Sequence, residues 1–131
     1  MNKGTLYTSY FVNWRRWKQL KNTFNIAITR YKPKYMDFSK EGIELLQGLA
    51  PTNTLLNTYK NGLITENQFR NEFIDYLSIN IDSIKDLNEV KKCLDNGTNV
   101  LLLYYESKNK FCHRHIIVEI FDEAGYNIKE I

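Results

Sequence analysis

Val100-Leu101-Leu102-Leu103-Tyr104-Tyr105 is an unbroken apolar run, with turn-forming Asn96-Gly97 before it and Glu106-Ser107-Lys108-Asn109-Lys110 after it. A half-buried strand alternates apolar with polar residues, whereas a strand covered on both faces does not need to. The run therefore reads as the interior strand of a sheet with helices on both sides, and it places the chain among α/β proteins.

On its N-terminal side, Asp82 or Ser83 opens a helix with Ile84, Leu87, Val90 and Leu94 at core spacing, closed by Asn96-Gly97. Cys93 adjoins that stripe. Further back, Thr65 and Gln68 form a capping box for a helix that places Phe69, Phe73, Tyr76 and Leu77 on one face. Thr52 or Asn53 caps another, running through Leu55, Leu56 and Tyr59 to Asn61-Gly62. On the C-terminal side a helix beginning near Phe111 to His115 turns Ile116, Ile117, Ile120 and Phe121 inward, ends at Gly125, and leads to a short strand, Asn127 to Ile131.

The N-terminal third reads as a strand from Leu6 to Phe11, a helix capped by Asn13 through Trp14, Trp17 and Leu20, and a second strand from Phe24 to Thr29. Strands joined through a helix pair in parallel. Between Arg30 and Pro51, with Pro33, Gly42, Gly48 and Pro51, we expect a long loop with a helical turn, anchored by Ile43, Leu45, Leu46 and Leu49. The whole is one α/β domain over residues 1–131: a small three-layer fold with a mostly parallel sheet of about four strands and helices on both faces.

Composition agrees with a folded chain, at 43% apolar and 14% aromatic residues. No stretch approaches the roughly 20 apolar residues of a membrane span, and the N-terminus has no leader-like apolar core, so a cytoplasmic protein with reduced Cys93 and Cys112 is expected. Charge is uneven: residues 1–40 hold nine Lys/Arg against Asp37 alone, +8, and the remainder holds nine against fourteen acids, −5. Such asymmetry points to an anionic partner, or else to a solvated basic edge.

In an open α/β sheet, ligands sit beyond the carboxyl ends of the strands, so the loops after Phe11, Thr29 and Tyr105 should share a rim. They supply Ser9, Tyr10, Asn13, Arg15 and Arg16, then Arg30 and Lys32, then Glu106, Cys112, His113, Arg114 and His115. Tyr105, Arg30, Arg15 and Arg114 suit recognition of phosphate or carboxylate, with Ser9, Tyr10, Asn13 and His115 as further polar contacts. Cys112 at a helix start would be a candidate nucleophile, with His113 and Glu106 able to move or orient a proton. Packing is the bland alternative for Cys112, and a structural role that for either histidine.

No Cys-x-x-Cys, Walker loop or dinucleotide glycine motif is present, and no metal or cofactor is expected. Trp14-Arg15-Arg16-Trp17-Lys18 interleaves aromatics with cations as single-strand nucleic-acid platforms do, although the tryptophans are also spaced as a packing face.

Thr8-Ser-Tyr-Phe-Val-Asn-Trp-Arg15, Ile28-Thr-Arg30 with Pro33-Lys34, Leu49-Ala-Pro51, Leu102-Leu-Tyr-Tyr-Glu106 and Phe111-Cys-His-Arg-His115 together resemble the bacterial and phage family called domain of unknown function 488. The resemblance spans nearly the whole chain. It implies a small α/β fold, with Tyr105, Glu106, Cys112, His113 and Arg114 as signature positions. Many members carry a Cys before Tyr-Glu where this chain has Tyr104.

Three readings of function follow. The first is binding of a nucleotide or other phosphorylated small molecule, with sequestration of a signalling nucleotide by a phage or mobile-element protein as one role. The second is a hydrolase or transferase acting on a nucleotide-like substrate through Cys112, His113 and Glu106, with Arg114 stabilising negative charge. Nucleic-acid binding through Trp14 to Lys21 is the third. Oligomeric state is not legible.

Overall fold

The computed structural model describes residues 3–105 and 113–131. Its five strands are β1 (Thr5–Tyr10), β2 (Thr23–Ala27), β3 (Ile43–Leu45), β4 (Asn99–Tyr104) and β5 (Asn127–Glu130). They form one sheet in the order β3-β2-β4-β1-β5, and every pairing is parallel. The helices are α1 (Trp14–Trp17), α2 (Phe38–Glu41), α3 (Asn53–Lys60), α4 (Glu66–Ile79), α5 (Ile81–Asp95) and α6 (His113–Glu123).

The apolar run at β4 is the central strand, with Val100, Leu101, Leu102, Leu103 and Tyr104 all solvent-inaccessible. Alternation along it separates two cores. Val100, Leu102 and Tyr104 join Leu6, Ile26, Phe73, Val90, Leu94, Ile116 and Ile117 on the face covered by the longer helices. Leu101 and Leu103 join Phe11, Trp17, Ala27, Phe38 and Ile43 on the other. Helices on both faces are thus present, though the second layer is thin, built from two four-residue helices and their loops.

Several expectations need correction. β1 and β2 run parallel but do not touch in the ladder, because β4 pairs with both. The irregular stretch after Arg30 contains α2 and the edge strand β3, since the left-handed turn at Gly42 (φ 67°) ends the helix and returns the chain to β2. Asn13 does not cap a helix: its side-chain amide donates to Ser9 Oγ (3.1 Å), and the chain passes through a 3-10 turn, Phe11–Asn13, into the short α1. The α5 cap is Asn80 rather than Asp82 or Ser83, with Asn80 Oδ1 accepting from the Ser83 amide at 3.0 Å, and Ile84 faces outward. The caps Thr52 and Thr65, the latter with its full capping box, are as expected.

Gly48 shows why the loop before α3 is held closely. Its amide donates to Asp86 Oδ2 of α5 (2.9 Å), and a Cβ there would lie 2.6 Å from the Asp82 carbonyl oxygen. Burial pushes the Asp86 carboxyl up, and the Gly48 amide holds it back. No helix among the described residues is long and apolar enough to cross a membrane.

Candidate functional site

Since all strands point the same way, their carboxyl ends share one edge, where the loops after β1, β2 and β4 emerge. A cleft of about 230 Å³ opens there, lined by Thr29, Arg30 and Tyr31 after β2, Ala50 to Lys60 around α3, Tyr105 after β4 and His113 at the start of α6.

The site is built from the backbone outward. Ile28 N donates to Leu103 O (2.9 Å), extending the β2–β4 ladder so that Thr29 and Arg30 leave the sheet beside Tyr105. The Tyr105 hydroxyl then donates to Tyr31 O (3.1 Å), joining the two loops. Arg30 spreads its guanidinium over the carbonyls of Pro51 (Nε, 3.2 Å) and Ala50 (Nη2, 3.4 Å), which pins the entry to α3. Gln47 Nε2 returns a bond to Arg30 O (2.6 Å). Asn53 Nδ2 donates to the Tyr31 hydroxyl at 2.9 Å.

His113 is buried, edge-on to Phe73, with its Nε2 2.5 Å from Ile28 O. A carbonyl oxygen only accepts, so Nε2 carries a hydrogen and, on the neutral ring, Nδ1 is the basic nitrogen. Lys60, exposed at the last turn of α3, brings an ammonium to the wall. Ala50, Pro51 and Leu56 supply apolar surface. The cleft thus combines two cations, an imidazole and two tyrosines around an apolar seat, a lining rich in hydrogen-bond donors.

Of the residues singled out from the sequence, Arg30, Tyr105 and His113 line this cleft. Glu106 and Cys112 lie outside the described residues. The others are placed elsewhere. Ser9 is buried and donates to Ile131 O (3.3 Å) on the thin-layer side, where Asn13 binds it. Arg15 is exposed, its guanidinium 5.3 Å from the Trp14 ring centre.

Arg114 lies across the sheet from these, fully buried, with its guanidinium 3.9 Å from the Tyr104 ring centre and Nη2 3.1 Å from Glu130 Oε1 of β5. Burial pulls its pKa down to about 10, against the opposing pull of Glu130 and Tyr10, so it stays charged near neutrality. His115 Nε2 accepts from Arg114 Nε at 3.2 Å. The sheet therefore stands between Arg114 and both Ser9 and Arg15, whereas Tyr10 packs on Arg114's side, and among the described residues no single hollow encloses all of them. Asn53 and Lys60 are not legible in the sequence, because α3 reads locally as a packing helix and only tertiary docking brings it to the cleft, whereas Tyr31 stands between Arg30 and Lys32 in a loop already expected at the rim.

Fold and cleft define a small parallel α/β protein with a polar hollow at the carboxyl edge of its sheet. The family model described as the active DUF488-N3 subclade matches residues 9–125, and the chain belongs to that family. No curated protein and no solved structure matches it.

Proposed function

We propose that the chain binds a nucleotide or another phosphorylated small molecule in the cleft between Tyr31, Tyr105, Lys60 and His113. The observation that carries this is the meeting of Lys60, Arg30 and His113 with two tyrosines beyond the carboxyl ends of a parallel sheet, where such folds hold ligands. Lys60 offers charge to a phosphate, and Leu56, Pro51 and the tyrosines offer a seat for a base. At about 230 Å³ the hollow is smaller than the usual small-molecule pocket of about 300 Å³ or more and would seat part of a mononucleotide, a phosphate or a base, rather than a dinucleotide. A cytoplasmic setting fits, as does sequestration of a signalling nucleotide by a phage or mobile-element protein. Thermal-shift measurements with nucleoside mono-, di- and triphosphates and inorganic phosphate test the reading. At least one should raise Tm by several degrees, and Lys60→Gln should weaken that ligand about tenfold while leaving the unliganded Tm unchanged. No stabilisation by any phosphorylated compound defeats it.

A second reading, a hydrolase or transferase on a nucleotide-like substrate, draws on the fixed orientation of His113 and on the word active in the subclade's description. Here Nδ1 of His113 takes the proton of a water or of the Cys112 thiol, and that nucleophile bonds to a phosphorus of the nucleotide as the P–O bond to the leaving group breaks. The leaving oxygen departs as an oxyanion that takes up the proton, and Glu106 orients the nucleophile. Turnover of a stabilising nucleotide that disappears in Cys112→Ser supports the enzyme, and turnover that survives it removes Cys112 from the reaction.

A further inference from the structure

The exposed aromatic rings of the described residues are concentrated along one edge of the molecule. Trp14 (44% exposed), at the start of α1, and Tyr31 (63%), Tyr35 (66%) and Tyr105 (45%), in loops, stand in the segments that follow β1, β2 and β4, whereas the other large exposed apolar side chains, Val12 apart, are aliphatic and lie on or between α3, α4 and α5. Tyr105 among them is tied to the core beneath. Tyr105 meets Phe11 edge-on at 5.2 Å, Phe11 meets Phe38 at 5.8 Å, and Lys32 Nζ lies 5.7 Å from the Phe38 ring centre.

A second hollow, about 290 Å³, lies among the thin-layer segments that follow β1 and β2, lined by Val12, Trp14, Lys18, Tyr35, Met36 and two acids, Asp37 and Glu41. Glu41 is neutralised by Lys18 at 2.7 Å, and Lys18 also lies 5.0 Å from the Trp14 ring centre. Arg15, Arg16, Lys32 and Lys34, in the segments after β1 and β2 that supply these linings, are exposed as well, which brings part of the N-terminal charge excess close to the rings.

We propose that this edge is a track for single-stranded nucleic acid, along which bases stack on Trp14 and Tyr35 and the backbone follows the lysines and arginines into the cleft at Tyr31 and Tyr105. Rings alternating with cations bind a flexible polyanion with unstacked bases, whereas a duplex hides its base faces and an acidic peptide has none. The proposal rests on the nucleotide reading of the cleft and specifies it: the nucleotide entering there belongs to a strand.

Fluorescence anisotropy with the full chain tests it, using labelled twelve-residue oligothymidylate and oligouridylate, the corresponding duplex, and a poly-glutamate peptide. Each stacked base is worth roughly a 5- to 150-fold change in Kd. Trp14→Ala and Tyr35→Ala should each weaken oligonucleotide binding at least about fivefold, without altering Tm or the stabilisation given by a mononucleotide. Wild-type binding should fall steeply with salt and quench tryptophan fluorescence, a quench lost in Trp14→Ala. Equal affinity for duplex or poly-glutamate, indifference to both substitutions, or no oligonucleotide binding overturns the track. If a mononucleotide still stabilises the protein in those cases, the cleft reading stands alone. If oligonucleotides bind the track but neither mononucleotides nor Lys60→Gln affect the protein's binding, the track stands and the cleft reading fails.

Discussion

Lys60 and His113 line the same cleft but are held there by different means. His113 gives Nε2 to a buried carbonyl, so His113→Ala leaves Ile28 O without that donor and should cost about 1–3 kcal/mol in urea denaturation. Lys60 is exposed, and its substitution should act on affinity alone, with an effect that shrinks as salt rises. Arg114 reverses its sequence reading: the spacing suggested a ligand donor, yet the guanidinium is stacked on Tyr104 inside the core. Arg114→Lys keeps the charge and loses the planar stack, so thermal denaturation should show a loss of about 1–2 kcal/mol. Nothing local in His113-Arg114-His115 distinguishes the two outcomes, because the helix's rotation against the sheet decides them.

At the scale of elements, the helices were legible because caps and periodicity are local signals: Thr52, the Thr65–Gln68 box and the Leu87, Val90, Leu94 stripe all act within a few residues. β3 was not, since three residues carry too little alternation to stand out from a loop. The contact between the loop before α3 and α5 is also tertiary, and Gly48→Ala should lower stability by about 2 kcal/mol or more through the clash with the Asp82 backbone, measurable as a reduced urea midpoint. Another tie joins the end of α5 to the turn before β5, where the Tyr126 hydroxyl donates to Asp95. That bond, then Lys91, holds the Asp95 carboxyl below its ordinary range. Its contribution is therefore complete above about pH 4 and is lost as pH falls through the lower native pKa. Tyr126→Phe should be less stable than the wild type at pH 7, with the gap narrowing by pH 3 in parallel urea titrations.

For the molecule as a whole, class, strand direction and the location of a polar edge could be read from one apolar run and the loops around it. Strand order could not, because pairing between residues about 90 positions apart leaves no mark on either segment (Leu6 with Val100, for example). Which polar residues share a hollow was only partly legible for the same reason, since the sheet that gathers Arg30, Tyr105 and His113 also separates Ser9 from Arg114. A fragment ending at residue 98 retains β1 and β2 but lacks the strand between them, and circular dichroism on heating should show no cooperative transition.

The late position of β4 also governs the order of assembly during translation. A nascent chain exposes the facing borders of β1 and β2 while some 70 further residues are made, and only then does the ribosome deliver the strand that closes the gap. Until that moment those open borders are templates for pairing with other chains, so production in cells should depend on chaperone capacity more than the small size of the finished protein would suggest.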